Sequence, residues 1–185
     1  MDFKSTFLRS VLFVFAFVVS NPLQGSIILQ PPDLAPGDQY RLVFVTSALT
    51  QATSDDINYY NNVVDDLGDL AMTSDWTAIA STQTVNARDN TGTTGSGGVP
   101  IYNLKGIRVA DDYADLWDTT IDNPIKYTEV GDTVSETAVW TGTEKNGTTH
   151  AKRYLGTLLP SGNAQAHFGY SLGKGNGWIQ YGLWI

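Results

Sequence analysis

Hydrophobic and polar positions divide the chain into an apolar leader and a longer region of short, varied segments. Val11–Val19 is an uninterrupted apolar run, whereas later apolar runs are brief and are bounded by Gly, Pro, Asn and Asp. Tyr40–Thr46 is rich in β-branched and aromatic residues and predicts a strand. Within Asp55–Leu70, apolar residues recur every three or four positions, which predicts an amphipathic helix. Its buried face would carry Ile57, Tyr60, Val64, Leu67 and Ala71.

Further short elements follow this helix. Trp76–Ser81 is predicted to be a strand. Ile101–Leu104 and Ile107–Val109 flank a Lys-Gly pair, which indicates a hairpin. Trp178–Ile185 alternates with a period of two, which is typical of a strand. Strands mixed with few helices and glycine-rich connections predict an α+β domain.

Polar residues mark where the helices are expected to begin. Thr53 or Ser54 is predicted to cap the long helix, and Asp111 or Asp112 to cap a short helical turn that ends near Trp117. Side-chain oxygens of these residue types accept hydrogen bonds from the free N–H groups of a first helical turn.

The N-terminal segment has the order of a secretory signal peptide. Lys4 and Arg9 precede the apolar run, and small and polar residues follow it. The run is about half the ~20 residues that a bilayer span needs. We therefore interpret residues 1–26 as a signal peptide and expect an exported protein without a transmembrane span. Residues 27–185 have the length of a single domain. The alternative is a buried N-terminal strand.

Composition narrows the possible partners. The 185-residue chain has 11 basic and 19 acidic residues, and removal of the predicted leader leaves 9 and 18. This acidic balance disfavours nucleic acid and heparin-like polyanions, which need basic patches. The chain has no cysteine, which excludes thiolate catalysis, thiolate metal sites and disulfides and points weakly to a bacterial source.

Three blocks carry a resemblance to a known class. VPIYNLKG, a short helix ending in ADLW, and VWTGTEKNG are similar to the series found in endostatin-like domains of the C-type-lectin-like fold. The chain also resembles uncharacterised exported bacterial proteins that share RLVFVTS and VWTGT and often carry a C-terminal sorting tail. The resemblance implies a C-type-lectin-like fold over 27–185. The bacterial relatives continue into another strand, so we expect the closing strand of the fold to be missing at Ile185.

The departures from that class limit what it implies. Endostatin-like domains bind heparin through clustered arginines, whereas this chain is acidic, so heparin binding is not expected. The calcium-binding triplets of sugar-binding C-type lectins do not occur here either.

Asp111, Asp112 and Asp115 form the best candidate for a metal site. Carboxylate oxygens from a loop and a helical turn are ligands that calcium prefers. Their spacing does not fit the common calcium-loop pattern, and helix capping with solvated charge is the alternative. A structural calcium ion is thus one expectation.

The glycine-rich tail holds the candidate ligand-binding residues. Trp178, Tyr181 and Trp184 are aromatic, and Asn146 lies in a polar loop. Aromatic faces hold glycans, although large aromatic residues also fill cores. We predict a non-catalytic binding or adhesion domain for an extracellular glycan or protein.

Two other functions stay open from the sequence. One is a polysaccharide hydrolase that uses a carboxylate pair. Its candidate acids are Asp115, Glu129, Glu136 and Glu144. The other is a structural matrix component whose fold matters more than any ligand.

Overall fold

The computed structural model describes residues 27–180 and the strand at 182–183, so the predicted signal peptide (1–26), Tyr181 and Trp184 lie outside the described residues. The described part is a small α+β fold with three α-helices and two three-stranded sheets. This confirms the predicted class. The strands are β1 (Arg41–Val43), β2 (Ile101–Asn103), β3 (Arg108–Ala110), β4 (Ala138–Trp140), β5 (His167–Tyr170) and β6 (Gly182–Leu183). The helices are α1 (Ile57–Gly68), α2 (Ala87–Asn90) and α3 (Tyr113–Leu116).

The first sheet has the strand order β1-β2-β3. β1 runs parallel to β2, with Arg41 opposite Ile101, and β2 and β3 form an antiparallel hairpin. The predicted hairpin is therefore confirmed. Its turn is organised by the buried Asn103 side chain, whose Oδ1 accepts hydrogen bonds from the backbone N–H groups of Lys105 (3.0 Å) and Ile107 (3.2 Å).

The second sheet has the antiparallel order β4-β5-β6. A short 3-10 turn at Asn176–Trp178 crosses close to β5, and within the described part of the tail only Gly182–Leu183 is a strand. The strand predicted from Trp178 onward is therefore wrong over its first part. The close crossing needs Gly169, because a Cβ there would lie 2.0 Å from the carbonyl oxygen of Trp178.

Helix starts follow the predicted chemistry, with one change of residue. α1 is capped by Asp56, whose Oδ1 accepts from the N–H of Asn58 at 3.0 Å, so the predicted caps Thr53 and Ser54 are wrong. Ser54 instead supports the cap, because its Oγ accepts from the N–H of Asp56 at 3.1 Å. Asp112 caps α3, as predicted, by accepting from the N–H of Asp115 at 2.9 Å.

The strand predicted at Trp76–Ser81 does not form. Side chains of α1 capture its backbone donors: Asp65 accepts from the N–H of Trp76 at 2.9 Å, and Asn61 from the N–H of Ala78 at 3.0 Å. Asn90 of α2 donates to the carbonyl of Ala78 at 2.8 Å. Because side chains satisfy these groups, the segment forms no ladder there, and only at its end does Ser81 bond to the backbone of Thr141 and Leu155 among the described residues.

The core consists of two hydrophobic clusters. The first lies at the first sheet and includes Val43, Ile101, Val109, Leu116, Trp178 and Ile179. The second includes Tyr60, Ala80, Leu155 and Ala166, with Ile57 and Val64 of α1 packed against it. The predicted apolar face of α1 therefore does meet the core. Among residues 27–180 and 182–183, no helix is both long and apolar enough to cross a bilayer.

Candidate binding cleft

A cleft of about 520 Å³ lies between the two sheets. Strand β1 lines it from the first sheet and β4 from the second, and members of both core clusters contribute to its walls. Its volume falls within the range of known ligand sites. Its aromatic lining residues are Tyr40, Phe44, Tyr60, Trp76, Trp140, Tyr170 and Trp178.

The lining is apolar and almost uncharged. Within the described part of the chain, Arg41 and Asp75 are its only charged lining residues. Most of its polar side chains are the hydroxyl groups of threonine and serine, and Asn and Gln are absent from the described lining. A ligand that fits this cleft therefore has an uncharged, largely apolar face.

Helix α1 fixes the tryptophan at one wall. The Nε1–H of Trp76 donates to the carbonyl of Met72 at 2.9 Å, and the ring meets Phe44 edge to face with 5.1 Å between centroids. Gly68 makes room for this ring, because a Cβ there would lie 2.5 Å from it. Gly68 weakens an isolated helix, and its packing against Trp76 explains its place near the end of α1.

Trp178 is the one aromatic ligand-binding candidate that the structure describes. It is 6% exposed, belongs to the first core cluster and stacks at a tilt on Trp117, with 5.6 Å between ring centroids. It also lines the cleft. Its indole Nε1 is buried and has no hydrogen-bond partner among the described residues. The ring of Trp178 is therefore first of all a core residue, and it contributes to the wall of the cleft.

Asn146 lies outside this cleft. Its exposed side chain accepts hydrogen bonds from the N–H (3.2 Å) and Oγ1 (2.7 Å) of Thr148 and so stabilises a tight turn. Gly147 in this turn packs on Trp117, where a Cβ would lie 2.8 Å from the ring. Trp117 thus lies between the turn of Asn146 and Trp178. Tyr181 and Trp184 lie outside the described residues.

The predicted acidic cluster is present with one change of member. Carboxylate oxygens of Asp111, Asp115 and Asp122 all lie within 4.8 Å of one another, while Asp112 serves as the cap of α3. Asp111 pairs with Arg108 at 2.7 Å, and Asp115 accepts from the N–H of Asp111 at 2.7 Å. Two of the carboxylates therefore already have protein partners, and a calcium ion here stays a prediction.

The crowded surroundings of the acidic cluster shift the pKa of one of its members, Asp115. Burial raises the pKa of Asp115 above the ordinary value for an aspartate, and the nearby charges of Asp122, Asp118 and Asp111 raise it further. A hydrogen bond from the backbone of Asp111 acts in the opposite direction. The carboxylates at this end of α3 thus repel one another, which disfavours the ionised form of Asp115.

A histidine pair in the second sheet was not predicted. The rings of His150 and His167 stack with 3.8 Å between centroids, and Nη1 of Arg153 lies 3.3 Å from Nε2 of His167. Oε1 of Glu144 lies 3.5 Å from Nε2 of His150. These are the only two histidines of the chain, but nothing in their sequence spacing shows that β5 brings them together.

The inner histidine is held in its neutral form. His167 is 5% exposed, and its Nδ1 has no hydrogen-bond partner among the described residues. Burial, followed by the neighbouring His150 and Arg153, lowers the pKa of His167 to about 4. A neutral imidazole therefore lies inside the second sheet at physiological pH.

The four carboxylates considered for hydrolysis have separate surroundings. Glu129 is buried and accepts hydrogen bonds from both the N–H and the Oγ of Ser47. Glu144 lies beside His150, and Asp115 belongs to the acidic cluster. Glu136 is exposed. None of these four lines the cleft.

No protein-family model matches this chain, and no curated protein matches it in sequence.

Proposed function

We propose that this protein is an exported, non-catalytic binding domain of C-type-lectin-like fold, which holds an extracellular protein or glycan in the cleft between its two sheets. The cleft itself is the observation that carries the proposal. A concave, mainly apolar site with aromatic walls and few polar groups is the usual form of a ligand pocket.

Element order supports the finer fold assignment. The early strand β1, the helix α1, the hairpin β2–β3, the short helix α3 and the strand β4 occur in the order that the resemblance implies, whereas the strand that it implies at Trp76–Thr82 does not form. The apolar leader with its basic flank supports export.

The composition of the cleft favours binding over hydrolysis. A glycosidase of the common kind needs two carboxyl groups about 5–10 Å apart. Asp75 is the only carboxylate among the described residues that line the cleft.

The same lining favours a protein ligand over a glycan. A buried glycan brings many hydroxyl groups, and each of them costs free energy unless it finds a partner. The described lining offers mainly apolar surface and small hydroxyl side chains. The aromatic rings, which stack on sugar faces, keep a glycan as the second candidate.

A binding screen with matched aromatic variants tests this proposal. The purified chain is screened against extracellular proteins, peptides and glycans, and binding is followed by tryptophan fluorescence. Phe44→Ala, within the cleft, should weaken binding at least tenfold. Tyr59→Ala removes an exposed ring outside the described lining and should leave binding unchanged. Equal effects of the two variants, or no ligand at all, would contradict the proposal.

A further inference from the structure

The outer side of β1 presents unpaired backbone groups. The N–H of Arg41 donates to the carbonyl of Pro100, at the start of β2, at 2.9 Å. In a parallel ladder alternate residues of a strand bond to opposite neighbours, so the backbone groups of Leu42 point away from β2, and Phe44 follows directly after β1. No described residue forms a hydrogen bond with them, and both residues line the cleft.

The outer side of β4 has the same property. The N–H of Thr141 donates to the carbonyl of His167, and the N–H of Ser171 to the carbonyl of Thr137. This register directs the backbone groups of Ala138 and Trp140 away from β5. They too have no partner among the described residues, and both residues line the same cleft.

Strands β1 and β4 do not pair with each other. No Cα of β1 lies within 8 Å of a Cα of β4, whereas directly paired strands lie about 4.8 Å apart. A strand inserted between two others separates them by about 10 Å. Two unpaired strand edges that line one apolar cleft therefore have the arrangement that a single inserted strand would complete.

We propose that the cleft takes an extended, uncharged peptide strand of a partner polypeptide, which pairs with β1 through Leu42 and Phe44 and with β4 through Ala138 and Trp140. The inserted strand would join the two sheets into one. This inference rests on the proposed binding function of the cleft and specifies its ligand.

The chemistry of the cleft favours a peptide strand as its ligand. A peptide backbone supplies the alternating N–H and C=O groups that two strand edges require. Side chains on an inserted strand would face buried residues such as Val43 and Ile101 of the first core cluster. Because the described lining has only two charged residues, β-branched and other apolar side chains match it and charged ones do not.

The test uses the purified chain and three capped seven-residue peptides. The first alternates Val and Thr, the second has the same sequence with alternate amides N-methylated, and the third alternates Lys and Asp. Calorimetry measures the affinity, and hydrogen exchange measures the protection of individual amides. The first peptide should bind and protect Leu42, Phe44, Ala138 and Trp140 at least tenfold. The amides of Arg41 and Thr141, which are already paired, should not change.

A protein variant tests the same pairing from the other side. Ala138→Pro removes an N–H that points into the cleft and leaves the bonds between β4 and β5 in place. It should weaken binding of the Val-Thr peptide at least tenfold. The N-methylated peptide makes the same test without changing the protein, and should also bind at least tenfold more weakly.

Three outcomes would overturn the strand proposal. One is equal binding of the methylated and unmethylated peptides. Another is protection of the four edge amides in the free chain, which would place a segment of the chain itself in the cleft. The third is binding of a glycan that Phe44→Ala weakens, without binding of any peptide; this outcome would keep the proposed binding function and reject its peptide ligand.

Discussion

The two sheets have the same number of strands and differ in where they hold polar groups. Beside the first sheet, Arg108 forms ion pairs at 2.7 Å with Asp33 and with Asp111, and its side chain is 38% exposed. In the second sheet, His167 is 5% exposed, stacks on His150 and leaves one ring nitrogen unpaired. Solvent and salt screen the exposed ion pairs. The buried histidine instead couples the stability of the second sheet to pH.

The two sheets also differ in how closely their backbone is packed. The hairpin of the first sheet turns around one buried asparagine. The second sheet brings the 3-10 turn against β5 so closely that no side chain fits at Gly169. We therefore expect the second sheet to be the more sensitive of the two, and the following predictions run from the largest expected effect to the smallest.

Gly169→Ala should have the largest effect. Its Cβ would lie 2.0 Å from the carbonyl oxygen of Trp178 and 2.8 Å from the backbone N of Ile179, so the 3-10 turn must move. We expect a loss of about 3 kcal/mol or more in the free energy of unfolding, measured by urea denaturation. Gly175→Ala is the matched control, because nothing lies within 4 Å of its added Cβ. If Gly169→Ala is no worse than this control, the close crossing is wrong.

Acid should destabilise the second sheet through His167. The folded-state pKa of about 4 lies below the ordinary value of 6.5, so folding favours the neutral ring. Its contribution is complete above about pH 6.5 and is lost as the pH falls from 6.5 towards 4. This pKa difference corresponds to a loss on the order of 3 kcal/mol. Denaturation at a series of pH values measures it.

Two histidine variants separate this effect from general acid denaturation. His167→Phe should remove most of the loss between pH 6.5 and 4. His150→Gln should make the loss smaller and end it at a higher pH, because the neighbouring His150 helps to lower the folded-state pKa of His167. An unchanged pH profile in both variants would assign the acid sensitivity to other groups.

Asp122→Asn should have a small, stabilising effect near the first sheet. The charge of Asp122 helps to raise the pKa of Asp115, so its removal brings that pKa down. We expect a gain of a few tenths of a kcal/mol at pH 7, which fades as the pH falls through the pKa of Asp115. Thermal unfolding measures the gain, with Asp66→Asn as the control for an exposed acid elsewhere.

The same pair of proteins tests the predicted calcium ion. If calcium binds the cluster, millimolar CaCl2 should raise the Tm of the unsubstituted chain and not that of Asp122→Asn. Equal Tm changes in the two proteins would reject a calcium site at these carboxylates.

Arg108→Gln should have the smallest effect. It removes two exposed ion pairs, and pairs of this kind contribute little to stability. It also removes the hydrogen bonds that Arg108 donates to the hydroxyl of Tyr102, which still donates to Asp33 at 2.9 Å. We expect a change in Tm of less than about 2 °C, measured at low salt and in 1 M NaCl. A loss as large as that from the titration of His167 would show that the ion pairs of the first sheet act like buried groups.

Local sequence features predicted the elements whose polar groups are satisfied nearby in the chain. Asp112 caps α3 by accepting from the N–H of the residue three positions further on. Asn103 organises the hairpin turn by accepting from the N–H groups of the residues two and four positions further on. The apolar period of α1 also placed Tyr60 correctly in the core. Such interactions depend on backbone geometry that a few adjacent residues define.

The failed predictions concern segments whose partners lie far along the chain. Trp76–Ser81 has the composition of a strand, but side chains from α1 and α2 occupy its backbone groups. Trp178 was expected in a strand and lies in a 3-10 turn against Gly169. Propensity describes how well a residue suits a strand, and it does not supply the neighbouring strand.

The sequence by itself determined the α+β class, the hairpin, an aspartate cap at Asp111 or Asp112 and the core face of α1, because each follows from residues close together in the chain. Only the tertiary structure decided the stacking of His150 on His167 and the cleft between the sheets. Which backbone groups stay unpaired depends on which strands become neighbours. Leu42 and Ala138 line one cleft only because two sheets, formed by distant parts of the chain, place their open edges there.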